Sequence, residues 1–246
     1  MKLTQKRTLK MLVALCAVFA VAPAANAMHI MEGYLPPVFC VAWGVVCLPF
    51  LYLGFTVMNK SVKENRKSMT LIAMAGAFVF VLSSLKIPSV TGSCSHMTGT
   101  GLGAILFGPC AVSLLGLIVL VFQAILLAHG GLTTLGANCF SMAIAGPVLS
   151  WLIYKGLSKA NVNKKVTVFL AAALGDIFTY CVTSFQLAMA YPSAEGGMMD
   201  SAAKFLGVFA PTQLPLAIIE GILTVIVVIA LETFAKSELK MIHFEA

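Results

Sequence analysis

Long apolar blocks along this chain are separated by short polar or basic ones. The apolar stretches cover roughly residues 38–58, 69–86, 109–128, 136–154, 166–190 and 212–234. Each approaches the ~20 residues that carry a helix across a bilayer, so the pattern predicts six transmembrane helices. A seventh block, 98–108, is shorter, rich in glycine, and closes on Gly108-Pro109. It is too short to span alone. It suits a broken or re-entrant helix lining a cavity, the setting in which irregular backbone is tolerated at membrane depth.

Composition agrees with lipid as the solvent. Hydrophobic residues make up 60% of the 246 and charged residues 10%, against about 45–50% and about 25% in soluble domains. The mean hydropathy is +0.98. A water-soluble globule cannot hide that much apolar surface, which excludes a soluble enzyme, a nucleic-acid module and a disordered chain. The expected fold class is an all-α integral membrane protein.

The formal charge of +7 is partly a property of the leader. Lys2, Lys6, Arg7 and Lys10 precede an apolar run over 11–21, followed by Pro23-Ala24-Ala25-Asn26-Ala27. A basic start, a short apolar run and a small-x-small site read as a secretory signal peptide over residues 1–27, leaving 28–246 as a single transmembrane domain. Cleavage takes four cations and no acid with it, so the formal charge falls from +7 to +3. The remaining cations set the orientation. Lys60, Lys63, Arg66 and Lys67 share one loop, Lys155, Lys159, Lys164 and Lys165 another, and Lys236 and Lys240 follow the last span. The positive-inside rule puts all three regions in the cytoplasm. An exported N-terminus must then cross an odd number of times before Lys155. That makes the glycine-rich segment count as a crossing, complete or broken. Seven crossings result, with the mature N-terminus outside, the C-terminus in the cytoplasm, and His96 and His129 toward the outer face.

The histidines carry the chemistry. Of the four, His243 lies in the tail and reads as solvated surface. His29 is more informative, because cleavage after Ala27 makes Met28 the new terminus and His29 the second residue. The free amine and the Met28–His29 amide nitrogen close a five-membered ring on a metal. The amide nitrogen and His29 Nδ1 close a six-membered one. Three nitrogens thus come from two residues, with affinity rising with pH because protons must leave. A planar nitrogen set suits Ni(II), Cu(II) and by extension Co(II), and fits tetrahedral Zn(II) or oxygen-seeking Mg(II) poorly. His96, in Gly92-Ser93-Cys94-Ser95-His96-Met97-Thr98-Gly99, is the best candidate for a fourth nitrogen. His129, in Ala128-His129-Gly130-Gly131-Leu132-Thr133-Thr134, is a candidate ligand, orienting group or gate. An isolated histidine near a membrane interface also commonly serves as a hydrogen-bonding group, and from spacing alone both readings stand.

Among the acids, Glu32 is placed to neutralise a bound cation or to cap the first helix. Asp176 and Glu220 fall in the last two spans, either as structural hydrogen-bonding groups or as a proton or ion relay. Ala73-x-x-x-Ala77 and Ala171-x-x-x-Gly175 put small residues on one helix face, permitting close packing. The seven cysteines are scattered without paired zinc spacing and read mostly as small apolar fillers. No phosphate-binding loop is present, which removes that route to ATP hydrolysis, and the absence of His-Glu-x-x-His weakens a metalloprotease reading. The chain is not read as an enzyme; the alternative of a different class is an intramembrane metalloenzyme with Glu32, Asp176 or Glu220 as its base.

Three blocks resemble the CbiM family of cobalt-transport proteins: Met28-His29-Ile30-Met31-Glu32-Gly33-Tyr34-Leu35-Pro36-Pro37, the run from Ser93 through Gly108-Pro109, and Leu127-Ala128-His129 through Leu135-Gly136-Ala137-Asn138. The resemblance covers essentially all of 28–246. It implies an all-helical, substrate-binding S component of an energy-coupling factor (ECF) transporter, importing Co2+ for cobalamin biosynthesis. It further implies a CbiQ-type transmembrane coupling subunit, CbiO-type ATP-binding subunits and a small CbiN-type membrane companion. Carried over from related nickel proteins, the metal-binding residues are Met28, His29 and His96. Glu32, Ser95, His129 and Asn138 stand as a supporting shell or gate. Ni2+ is the alternative cargo. Many relatives have proline after the loop histidine, where this chain has Met97, which would loosen the loop or bring a thioether near the metal.

Overall fold

The computed structural model describes residues 26–27, 29–64, 66, 68–88 and 93–242. Most of the expected leader, Met28 and His243 lie outside the described residues. Among the described residues eight helices follow in order: α1 (Pro37–Glu64), α2 (Ser68–Ser84), α3 (Thr100–Phe107), α4 (Pro109–Leu127), α5 (Leu135–Lys159), α6 (Lys164–Ala190), α7 (Gly197–Phe234) and α8 (Lys236–Met241). Five of them, α1 and α4 to α7, are long and apolar enough to cross a membrane, and α2 is a shorter apolar helix of 17 residues.

The helix boundaries follow local chemistry. Pro37 opens α1, where its missing N–H costs nothing and its fixed φ favours the helix; the N–H groups of Phe39 and Cys40 bond back to Pro36 O at 3.0 and 3.2 Å. Asn163 caps α6, its side chain accepting from Lys165 N at 3.0 Å, the usual role of a short polar residue at that position. Gly108, at φ 82°, separates α3 from α4. That turn is open to glycine and strained for other residues.

Two features differ from the sequence expectation. Expected from Thr212, α7 instead begins at Gly197 and carries Pro211 and Pro215 inside it. Asp200, Lys204 and the prolines interrupt the hydropathy, yet neighbouring helices can re-satisfy the backbone groups that a proline frees in a membrane helix. The all-α class stands as expected, and the second difference is a small strand contact that the pattern did not predict. β1 (Asn26–Ala27), β2 (Ile87–Pro88) and β3 (Ser93–Ser95) form a small sheet in the order β1-β3-β2. Asn26 pairs with Ser93 and Ala27 with Cys94, in parallel. This lays the N-terminal segment beside the loop that bears His96.

The glycine-rich block is the short helix α3, and all of residues 100–106 are buried. It packs among α4, α5 and α6. A methyl group placed on Gly101 would stand 2.9 Å from Ala172 Cα, so α3 reaches its depth only because no side chain intervenes. The same economy operates between α5 and α6. Methyls on Gly146 and Gly175 would fall 2.1 Å from Thr179 Oγ1 and 1.8 Å from Ser150 Oγ. Within α5, residues Cys139–Ala145 are π-helical. This wider turn is often found at functional sites, and here it faces the histidines.

Candidate metal centre

His29, His96 and His129 come from three separate connecting segments and meet in one place. They are 3%, 0% and 1% exposed, and one ring nitrogen from each lies within 4.8 Å of the others. The His29 ring stacks on His96 at 4.5 Å between centroids, and His129 stands edge-on to both, at 4.5 and 4.9 Å.

Each histidine is held by its neighbours. The residue after His29 is gripped in both directions: Ile30 N donates to Asn138 Oδ1 at 2.8 Å, and Ile30 O accepts from Asn138 Nδ2 at 3.0 Å and Thr134 Oγ1 at 2.6 Å. His129 follows Ala128, which ends α4 with φ 46°, and His129 N donates to Gln123 O at 3.1 Å. A methyl on Gly131 would stand 2.5 Å from Glu32 Cα, so the N-terminal segment lies directly on this turn. His96 precedes Gly99, whose φ of 69° turns the chain into α3.

The hydrogen bonds fix where the lone pairs are. His96 Nδ1 lies 2.8 Å from Met97 O. A carbonyl only accepts, so Nδ1 carries the proton and Nε2 is bare. That Nε2 is buried without a hydrogen-bond partner. His29 Nε2 lies 3.1 Å from Met142 Sδ, and a thioether likewise only accepts, which puts the proton on Nε2 and a lone pair on Nδ1. His29 Nδ1 is 3.0 Å from His129 Nε2, which therefore donates; His129 Nδ1 has no partner. Burial pushes all three imidazoles below the ordinary histidine range, His96 to about 4, because an apolar enclosure disfavours the charged ring. Neutral imidazoles with bare nitrogens, aimed at one another in a site closed to water, form a donor set for a late transition-metal ion.

The other residues singled out from sequence divide clearly. Asn138 supports His29 as described, and His129 stands within the cluster itself. Glu32 does not cap α1, which starts five residues later; its carboxylate accepts from Thr133 N at 3.2 Å, tying the N-terminal segment to the 131–133 turn. Hydrogen bonds from the Thr133 side chain and backbone hold its carboxyl below the usual range. Ser95 Oγ pairs with Thr212 Oγ1 at 2.7 Å. Asp176 and Glu220 are buried but bind other partners: Glu220 accepts from Thr98 and Gly99, and Asp176 from Gln213. Met97 packs with Leu82 and Leu216, so the sulfur that reaches the histidines is that of Met142. Nothing in the pattern marked Met142 or Gln213, each an ordinary position in an apolar run; only the meeting of distant segments reveals them.

Comparison with known proteins gives the family. The model of the family described as cobalt uptake substrate-specific transmembrane region, CbiM, matches residues 29–238. A cobalt transport protein CbiM of Lachnoclostridium phytofermentans is 68% identical over 235 residues, covering 96% of this chain and 94% of its own. One from Ruminiclostridium cellulolyticum is 55% identical over 230 residues, covering 94% and 93%. The crystal structure of a truncated transition metal transporter superposes with a TM-score of 0.74 at 28% identity, covering 83% of this chain and 98% of its own. These relatives are named as transport proteins and not as enzymes. The chain therefore belongs to the CbiM family of membrane-embedded cobalt uptake proteins.

Proposed function

We propose that this protein is the metal-capturing S component of an ECF-type transporter that imports Co2+, the ion then supplying cobalamin synthesis. The observation that carries the reading is the convergence of His29, His96 and His129 in one buried cluster, with unprotonated nitrogens at His29 Nδ1 and His96 Nε2. In the proposed mature protein, signal peptidase cuts after Ala27. The Met28 amine, the Met28–His29 amide nitrogen and His29 Nδ1 then wrap one face of the ion, and His96 Nε2 completes four nitrogens. Asn138 holds the His29 peptide, Met142 fixes the His29 tautomer, and His129 occupies the contact that the ion takes over on binding. Such orientation of ligands by neighbours is general in metal sites.

The proposed topology has seven crossings, with the N-terminus outside and the C-terminus in the cytoplasm. Capture occurs from the outer face. Release requires a second state with lower affinity, since a partner can move the ion only by differential binding between two states. A CbiQ-type coupling subunit, CbiO-type ATP-binding subunits and a CbiN-type companion would supply that transition.

The decisive measurement joins the N-terminal mass of the membrane-purified protein with its cobalt content. A chain beginning at Met28 with one tightly held Co(II) is expected, and His29→Ala or His96→Ala should abolish retention while membrane insertion persists. Normal retention in both variants, or an uncut chain that still captures cobalt, overturns the reading. Competition between Co(II) and Ni(II) for the purified protein decides which ion is the cargo.

A further inference from the structure

The most elaborate buried polar contact outside the histidines lies between α7 and the loop that carries His96. Glu220 is fully buried, and its carboxylate accepts from Thr98 N at 2.6 Å, Gly99 N at 2.9 Å, and Thr98 Oγ1 at 2.9 Å. Seven residues earlier, on the same face of α7, Gln213 Nε2 donates to His96 O at 3.2 Å and to Asp176 Oδ2 on α6 at 2.6 Å. Both ends of the four-residue turn His96–Gly99 are thus fixed to one helix. The imidazole's own hydrogen bond is to Met97 O, inside the turn, so these ties of the turn to α7, together with the Ser95–Thr212 hydroxyl pair just before it, set where the His96 Nε2 stands.

We infer that Gln213 and Glu220 are positioning residues for metal capture, which make the placement of the His96 nitrogen a property of α7. The inference rests on the proposed metal site and adds what holds it. A carboxylate that receives two backbone N–H groups and a hydroxyl satisfies the donors at the start of α3; packing alone would leave those groups unpaired in an apolar interior. Gln213 does for the His96 carbonyl what Glu220 does for Thr98 and Gly99, and Asp176 fixes its amide from the far side. Gln213 lies between Pro211 and Pro215, where two intrahelical bonds of α7 are missing, so this stretch of helix owes its geometry to such side-chain contacts. The proposal accounts for a buried carboxylate and a buried amide that touch none of the three imidazole rings.

The test compares Gln213→Leu and Glu220→Gln with Thr224→Val in the full-length, membrane-purified protein. Thr224 is a buried polar residue of α7 whose hydroxyl bonds to Glu220 O within its own helix and, among the described residues, to nothing else. Co(II) binding is measured by chelator competition, the visible ligand-field spectrum is recorded at saturating metal, and thermal stability is measured without metal. Gln213→Leu is expected to weaken binding at least tenfold and to shift the spectrum toward that of a protein lacking the His96 nitrogen, with stability close to that of Thr224→Val. Glu220→Gln, which keeps an acceptor, should fall between Gln213→Leu and wild type. Wild-type affinity and spectrum in Gln213→Leu overturn the inference, as does a loss of affinity that only parallels a loss of stability in all three variants. If the wild-type protein itself fails to bind Co(II), the functional reading falls instead, so the two failures are distinct.

Discussion

The lone pairs of three imidazoles are the currency of this site, and they are assigned by single atoms. Met97 O accepts from one ring nitrogen of His96 and so keeps the proton there, and Met142 Sδ does the same for His29. In both cases the opposite nitrogen is the one turned inward. A consequence for pH follows from which groups still hold protons. A free α-amine titrates at about 7.7–8.0, whereas burial holds the His96 imidazole at about 4. In the proposed mature protein, below the amine's pKa protons therefore compete with the metal at the terminus and not at His96. Cobalt affinity is expected to fall by at least tenfold per pH unit there, and titrations by chelator competition at several pH values check it. An affinity flat with pH would remove the amine from the ligand set. Chemical acetylation of the mature terminus should abolish capture for the same reason, with the helix content unchanged.

At the scale of elements, glycine decides how near helices come, and helices decide where the site residues sit. Asn138 and Met142 both belong to α5, one just before its π-helical stretch and one within it. The position of α5 against α6 depends on Gly146, which leaves room for Thr179. Gly146→Leu should force the two helices apart, destabilising the protein by about 1–3 kcal/mol as overpacking typically does. Thermal unfolding in detergent measures that, and cobalt retention should fall with it because Asn138 and Met142 move away from His29. The same substitution at Gly156, where an added methyl meets nothing within 4 Å, should leave both unchanged.

The molecule as a whole shows its apolar surface to lipid. Along α1, Val38, Val41, Val45, Leu48, Tyr52 and Phe55 are exposed, and only Cys47 and Gly54 are buried among its 28 residues. A helix so exposed in water would be a liability; in a bilayer it is the ordinary boundary. The proposed orientation makes a global prediction. Reporter fusions or cysteine labelling should find the 155–165 turn and the end of the chain on the cytoplasmic side, and the 193–204 segment outside. The reverse labelling would move the histidine cluster to the inner face and overturn capture from outside. Uptake by intact cells should also vanish when the ATP-binding partner is deleted; persistence there would argue for a self-sufficient carrier.

Much of this was legible in the chain because it depends on local chemistry. Apolar length decides that a segment must become a membrane helix, since lipid leaves the backbone no partner but itself. The boundaries of α1, α4 and α6 follow Pro37, Gly108-Pro109 and Asn163. Histidines in short loops between apolar spans can likewise be picked out by inspection, and the three so picked, His29, His96 and His129, are the ones that meet. Tertiary structure decided what depends on distance through space: that His129 closes on His29 across a hundred residues, that Glu32 reaches Thr133 rather than capping a helix, that α7 extends back to Gly197 through two prolines, and that Met142 and Gln213 touch the site at all. Hydropathy records how much a residue avoids water but not which partner it meets, so contacts between remote segments emerge only once the helices have packed.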